Sequence, residues 1–171
     1  ARVSGMRYHP WRHARDLGLT IEFVPDLQPR ATYCAGLIQI REGLSQRERR
    51  TALAHEIVHY QRADEGVSCS RWHLQKLERQ VHLVAAKRLL HLDDIADALH
   101  DPYPASAAWV DDYTWALRLA YLDPIETADL ESRLEEGDHQ ALKLVRALES
   151  GLDTLDAAWL ARIESAQLAN P

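Results

Sequence analysis

The sequence predicts an α+β fold, in which a mainly helical domain carries a small antiparallel sheet ahead of its first long helix and is followed by a C-terminal helical region. Three observations support this prediction. Short alternating segments lie between residues 20 and 40, a helix-capping sequence begins at Ser45, and helical patterns fill much of the chain after residue 70. With 171 residues, 46% of them apolar and 27% charged, the chain can bury a core of this kind.

The strands are predicted by alternation and by the turn residues that bound them. Residues 20–24 alternate polar and apolar side chains and stop at Pro25. Residues 31–34 and 37–40 flank Ala35-Gly36, a pair typical of a tight turn between two strands. We therefore expect one small antiparallel sheet here.

The first long helix has a clear start signal. Ser45 and Glu48 have the spacing of a capping box, in which the serine oxygen accepts from a first-turn amide while the glutamate reaches back. From Ser45 onwards no Gly or Pro occurs until Gly66, so the helix can continue through His59. A second long helix, expected to pack on the first, is predicted at residues 70–90, where apolar residues recur at helical spacing.

The helical pattern breaks once more, at Asp101-Pro-Tyr-Pro104. After it the chain is predicted to be helical to its end, including one helix capped by Asp123 with Pro124 in its first turn. Trp109 and Trp115 are expected in these helices, in core positions. We expect one domain at residues 1–100 and an acidic helical region at residues 101–171, packed on it or appended to it.

Charge is divided unevenly along the chain. Residues 1–92 carry 15 Lys+Arg and 9 Asp+Glu, a net +6, whereas residues 93–171 carry 5 and 17, a net −12. A nucleic-acid backbone is held by clustered Lys and Arg, so we expect no direct nucleic-acid binding by the C-terminal region. Its charge suits a basic protein partner, although a solvated set of acidic helix faces has the same composition.

The sequence favours a cytoplasmic location without membrane contact. No run of 18 apolar residues occurs, and residues 1–15 lack the apolar centre of a signal peptide. The two cysteines, Cys34 and Cys69, are expected to be reduced thiols in that setting.

The segment His55-Glu56-Ile57-Val58-His59 matches the H-E-x-x-H pattern. On a helix this spacing places both imidazoles on one face, one turn apart, where two nitrogens can bind one metal ion. Zinc held by neutral imidazoles with an open coordination position lowers the pKa of a bound water towards 7. Glu56, beside the ligands, is the candidate catalytic base, and peptide hydrolysis is the expected chemistry.

A third ligand is needed, and three residues compete for the role. Glu78 is preferred, because 18 residues separate it from His59, a spacing comparable to that in zincins whose third ligand is a glutamate of the next helix. Glu65 follows His59 by six residues, as in another zincin class, but Arg62 stands where that class needs a glycine. His82 lies one helical turn beyond Glu78 and could be a ligand or a hydrogen-bonding neighbour of one.

Three stretches of the chain resemble the ImmA/IrrE family of metallopeptidases from bacteria, mobile elements and phages. Residues 37–44 resemble the strand before that family's active helix, and residues 48–59 resemble its ERR-x-x-x-AHE-x-x-H segment. Residues 78–90 resemble its E-x-E-A-N-x-F-A-A-x-L-L segment, with departures that include His82 in place of the usual asparagine. Residues 20–92 are covered in all.

The resemblance implies a zincin-like domain that binds one zinc ion through His55, His59 and Glu78, with Glu56 as the base. It also implies a substrate: such enzymes make a limited cut in a helix-turn-helix transcriptional repressor and so derepress its genes. By charge complementarity, the −12 surface is expected to dock the basic DNA-reading face of that repressor. The alternative is a non-enzymatic zinc-binding regulator or toxin-antitoxin component, which the intact Glu56 disfavours.

Overall fold

The computed structural model of the protein describes residues 7–63 and 71–134. The chain divides into two compact units, Ala1–Leu89 and Leu90–Pro171, here called the first and second unit. The α+β class is confirmed. In the described ranges, no helix is long and apolar enough to cross a membrane. The first unit contains helix α1 (Pro10–Asp16), strands β1 (Thr20–Val24), β2 (Ala31–Cys34) and β3 (Leu37–Arg41), and helices α2 (Gln46–Arg62) and α3 (Arg71–Leu89).

The three strands form one mixed sheet in the order β1-β3-β2. Strand β3 pairs antiparallel with β2 across the predicted turn at Ala35-Gly36, where Gly36 has a φ of +84° that glycine adopts readily. Strand β1 pairs parallel with the other side of β3. The prediction of a purely antiparallel sheet is therefore wrong in one pairing. Strand β1 does not pair with its sequence neighbour β2 but with the other edge of β3, and the two strands run in the same direction.

A short helix that the sequence analysis did not identify, α1, precedes the sheet. His9 caps it by accepting a hydrogen bond from the Arg12 amide, and Pro10 occupies its first turn, where the missing N–H costs nothing. Seven residues are too few to show a helical period. Its Ala14 is fully buried in the core that underlies the sheet.

Helix α2 begins as the sequence predicts. Ser45 is its N-cap and accepts from the Glu48 amide, while the Glu48 carboxylate accepts from the Ser45 N–H at 2.9 Å. The helix runs through both histidines of the motif and ends where Ala63 adopts the left-handed conformation. Its middle packs against the sheet through Leu53 and Ile57, which are fully buried together with Ile38 and Ile40 of β3.

The second long helix, α3, packs on α2 as expected. Its apolar contacts come from Val81, Ala85, Ala86 and Leu89, all nearly or fully buried. Burying a Val or Leu side chain of this kind contributes roughly 1.5–3 kcal/mol to folding. This packing fixes which residues of α3 face the H-E-x-x-H turn of α2.

All the regular elements in the described part of the second unit are helices. Arg118 is 2% exposed and joins its elements, since its guanidinium donates to the Leu90 carbonyl and forms two hydrogen bonds to the Glu126 carboxylate, at 3.0 and 2.8 Å. Asp123 caps the last described helix as predicted. The helices are α4 (Leu92–Ala98), α5 (Pro104–Ala107), α6 (Asp112–Ala120) and α7 (Pro124–Arg133).

The two tryptophans of the second unit differ in their surroundings. Trp115 lies in α6 and is buried, as expected. The placement of Trp109 in a helical core was wrong: it follows the end of α5 with a φ of 58° and is half-exposed. The left-handed turn directs its side chain outwards.

Candidate metal centre

The candidate site lies wholly in the first unit, between α2 and α3. His55 and His59 lie one turn apart on the same face of α2, with ring centroids 4.7 Å from each other. Glu78, in the second turn of α3, faces both of them. The structure therefore brings together the three preferred ligands, each of which keeps part of its surface exposed.

The three ligand atoms form a compact triangle. His55 Nε2 lies 3.1 Å from Glu78 Oε2, His59 Nε2 lies 3.3 Å from Glu78 Oε1, and the two Nε2 atoms are 3.0 Å apart. A tetrahedral zinc ion with bonds of about 2.0–2.2 Å holds neighbouring ligand atoms about 3.3–3.6 Å apart, a few tenths of an ångström more than in this triangle. The donor set and its spacing thus fit zinc, and this group could hold a metal ion.

The Glu78 carboxylate is kept in its charged form. Burial alone raises its pKa, but the hydrogen bonds from His55 and His59 outweigh that effect and bring the pKa well below the usual range of a glutamate. A metal ligand must be deprotonated, and Glu78 is already so at any physiological pH.

Glu56 lies on the same turn of α2 and is buried, with 8% of its surface exposed. Burial raises the pKa of its carboxyl group, Glu78 raises it further, and the two histidines oppose the change. The carboxylate accepts a hydrogen bond from the backbone N–H of Tyr33 in β2. The base is thus held between the helix and the sheet, with a pKa shifted in the direction that favours accepting a proton.

The Tyr33 amide is a contact that the sequence analysis missed. Every residue except proline has a backbone N–H, so the residue type gives no signal that this one reaches Glu56. The Tyr33 side chain belongs to a different contact, stacking edge-on against Tyr60 of α2 with ring centroids 5.5 Å apart.

The competing third ligands are placed differently. His82 lies one turn after Glu78 on α3, but it does not share the triangle of ligand atoms. Its ring centre is 4.8 Å from that of His55, and burial, followed by the charge on His55, holds the pKa of His82 well below its usual value. Glu65, the other candidate, lies outside the described residues, as does the predicted free thiol of Cys69.

One buried polar atom of the candidate ligand residues lacks a hydrogen-bond partner among the described residues. The Nδ1 atom of His55 is buried and has no hydrogen-bond partner within residues 7–63 and 71–134. A histidine that binds metal through Nε2 carries its hydrogen on Nδ1 and usually donates it to a neighbouring oxygen. The Nε2 atom of His55 lies in the triangle, where a bound metal ion would take the place of its hydrogen bond to Glu78, and Nδ1 is buried on the other side of the ring.

Comparison of the chain with protein-family models, curated proteins and solved structures finds no match.

Proposed function

We propose that this protein is a zinc-dependent metallo-endopeptidase. The observation that supports this most directly is the convergence of His55, His59 and Glu78 from two helices, with the buried carboxylate of Glu56 on the same turn as the histidines. The H-E-x-x-H spacing pairs two metal-binding imidazoles with one base, and a third ligand on a neighbouring helix leaves one coordination position open.

Bound at this site, zinc would supply a Lewis acid that polarises the scissile carbonyl and acidifies the attacking water. His55 and His59 would hold it through Nε2, and Glu78 through a carboxylate oxygen. The Glu56 carboxylate takes the proton from the attacking water and passes it to the nitrogen of the leaving amine as the C–N bond breaks. The Tyr33 N–H holds Glu56 in place for both transfers.

The sheet edge beside Glu56 suits an extended peptide. Strand β2 is an edge strand, and the hydrogen bond from the Arg41 N–H to the Arg30 carbonyl sets the alternation of its pairing with β3. By that alternation the N–H and C=O groups of Ala31 and Tyr33 point away from β3. The Tyr33 N–H reaches Glu56 on that side, so a substrate strand added along β2 passes close to the base.

For the substrate we propose a helix-turn-helix transcriptional repressor, cut at a limited site so that its genes are derepressed. The family resemblance of residues 20–92 supports this choice, and so does charge. Between residues 90 and 134 the two arginines are already in ion pairs, Arg118 with Glu126, and Arg133 with Asp93 and Asp129. The remaining acidic groups of the second unit leave a negative surface for a basic protein.

The experiment that tests this function uses the repressor encoded nearest to the gene of this protein. Purified repressor is incubated with the zinc-loaded protein and, in parallel, with its Glu56→Gln variant, and new N-termini are mapped by mass spectrometry. A single new terminus with the first protein and none with the variant is the expected result. If the Glu56→Gln protein still bound zinc and kept full biological activity, the protein would act by binding its partner and not by hydrolysis.

Docking by charge is tested separately from catalysis. Asp97, Asp112 and Glu131 are exposed in the second unit and lie outside the metal site. Changing them to Asn, Asn and Gln should slow cleavage of the repressor and reduce its salt dependence, since screening acts on exposed charges. Cleavage that is equally fast at low and high salt, and unaffected by these changes, would contradict a basic partner.

A further inference from the structure

A chain of polar side chains connects α1, α2 and α3 away from the metal triangle. Arg88 of α3 donates to Gln61 Oε1 of α2 at 2.6 Å, and Gln61 Nε2 lies 3.4 Å from His13 Nε2 of α1. His13 Nδ1 lies 2.8 Å from the hydroxyl of Tyr8, which also has a hydrogen bond with Arg88. These four residues, Tyr8, His13, Gln61 and Arg88, form a closed ring of contacts that we call the clamp.

Each hydrogen bond of the clamp has a fixed donor and a fixed acceptor. A guanidinium only donates, so Arg88 fixes the oxygen of the Gln61 amide towards itself and turns the NH₂ group towards His13. His13 Nε2 must then accept, which places its hydrogen on Nδ1, where it donates to the Tyr8 oxygen. Every member thus depends on the orientation of the one before it, and the ring holds together only while His13 is neutral.

The clamp and a nearby arginine tie α3 to α2 on both sides of the histidine motif. Gln61 lies two residues after His59. Arg50 lies five residues before His55, and its guanidinium donates to the Leu89 carbonyl at the end of α3 at 3.4 Å and to the Tyr8 carbonyl at 3.3 Å. Two of the ligands are on α2 and the third is on α3, so these contacts fix the relative position on which the triangle depends.

We propose that the clamp is a positioning device for the metal site, which sets zinc affinity by holding α3 where Glu78 meets both Nε2 atoms. This inference rests on the proposed zinc site. None of the four residues belongs to the ligand triangle, and their role is to hold α2 and α3 in the alignment that binds zinc. Apparent affinity falls in proportion to the fraction of molecules in that alignment, so a loosened clamp weakens zinc binding without removing a ligand.

The test compares zinc dissociation constants, measured by competition with a chromophoric chelator, for the full chain and four variants. Arg88→Met and Gln61→Met break the clamp and keep the length of the side chain. The double variant carries both changes. Arg49→Met is the matched control, because Arg49 is also half-buried in this unit, where its guanidinium stacks over Phe23 with 5.0 Å to the ring centre and takes no part in the clamp.

We expect about tenfold weaker zinc binding for each clamp variant, and a double variant no more than twofold weaker than the singles, because the ring acts as a unit. The control should stay within twofold of the unchanged protein. All zinc dissociation constants are measured under conditions in which far-UV circular dichroism shows that each protein is folded. Because Gln61 is exposed, Gln61→Met is expected to fold, and it tests the clamp by itself if Arg88→Met does not fold.

Three outcomes contradict different claims. Equal zinc affinity of the clamp variants and the Arg49→Met control contradicts the positioning role and leaves the metal site intact. The absence of zinc binding in the unchanged protein contradicts the proposed function itself. Additive losses in the double variant show independent contacts and also contradict the clamp as a unit.

Discussion

Glu78 Oε2 lies 3.1 Å from Nε2 of His55, although 22 residues separate the two in sequence and they belong to different helices. The contact exists only because α3 packs on α2 in one alignment. A metal ion bound across it would join the helices and so stabilise the fold of the first unit.

Zinc should raise the stability of the folded protein. A ligand that binds only the native state adds about 2.7 kcal/mol to the free energy of unfolding at a free concentration of 100 times its Kd. Urea denaturation with and without a zinc buffer measures this gain. The His59→Ala protein, which lacks one ligand, should show less than a quarter of it, and an equal gain in both proteins would place the zinc elsewhere.

Changing Glu56 to Gln should separate binding from catalysis. Glutamine keeps the shape of the side chain but cannot take a proton, so we expect kcat/KM for repressor cleavage to fall by about 10²–10⁴-fold. Zinc content should be unchanged, since Glu56 is not in the ligand triangle. The control is Glu42→Gln, an exposed acid outside the site, which should leave both quantities unchanged.

The capping box of α2 should contribute measurably to stability. Ser45→Ala removes the oxygen that accepts from the Glu48 amide, and we expect a loss of about 1 kcal/mol in the free energy of unfolding. Ser132→Ala serves as the control, because that exposed serine lies inside α7 and caps no helix start. Equal losses in the two variants would show that the Ser45 cap makes no specific contribution to the free energy of unfolding.

Acid should weaken the clamp through His13. Burial, and then the charge on Arg88, lower the pKa of His13, while Asp16 partly offsets them. The unfolded chain then binds this proton more readily than the folded one, so the contribution of His13 is complete above a pH of about 6.5 and declines as pH falls below it. Denaturation of the apoprotein between pH 5 and 7.5 should show a smaller decline for His13→Gln. A steeper decline in that variant would contradict the neutral tautomer.

Local signals predicted much of the fold and part of the site. The strand at residues 20–24, the turn at Ala35-Gly36 and the helix start at Ser45 each depend on a few neighbouring residues, and each is confirmed. The shared face of His55 and His59 follows from helix geometry alone.

The remainder depends on contacts between distant parts of the chain. Alternation identifies β1 as a strand but does not choose its partner, so its parallel pairing with β3 could not be foreseen. Glu78 was preferred by spacing, yet its distance from the histidines is set by how α3 packs. The Tyr33 amide and the clamp join residues of ordinary type, and no pattern in the sequence marks them.

The central claim is that His55, His59 and Glu78 bind one zinc ion, and metal content tests it most directly. Purified protein and its Glu78→Ala variant are reconstituted with zinc, dialysed, and measured by elemental mass spectrometry. One zinc per chain, much reduced in the variant, is the expected result. No zinc in the reconstituted protein, or equal zinc in both, would contradict the site.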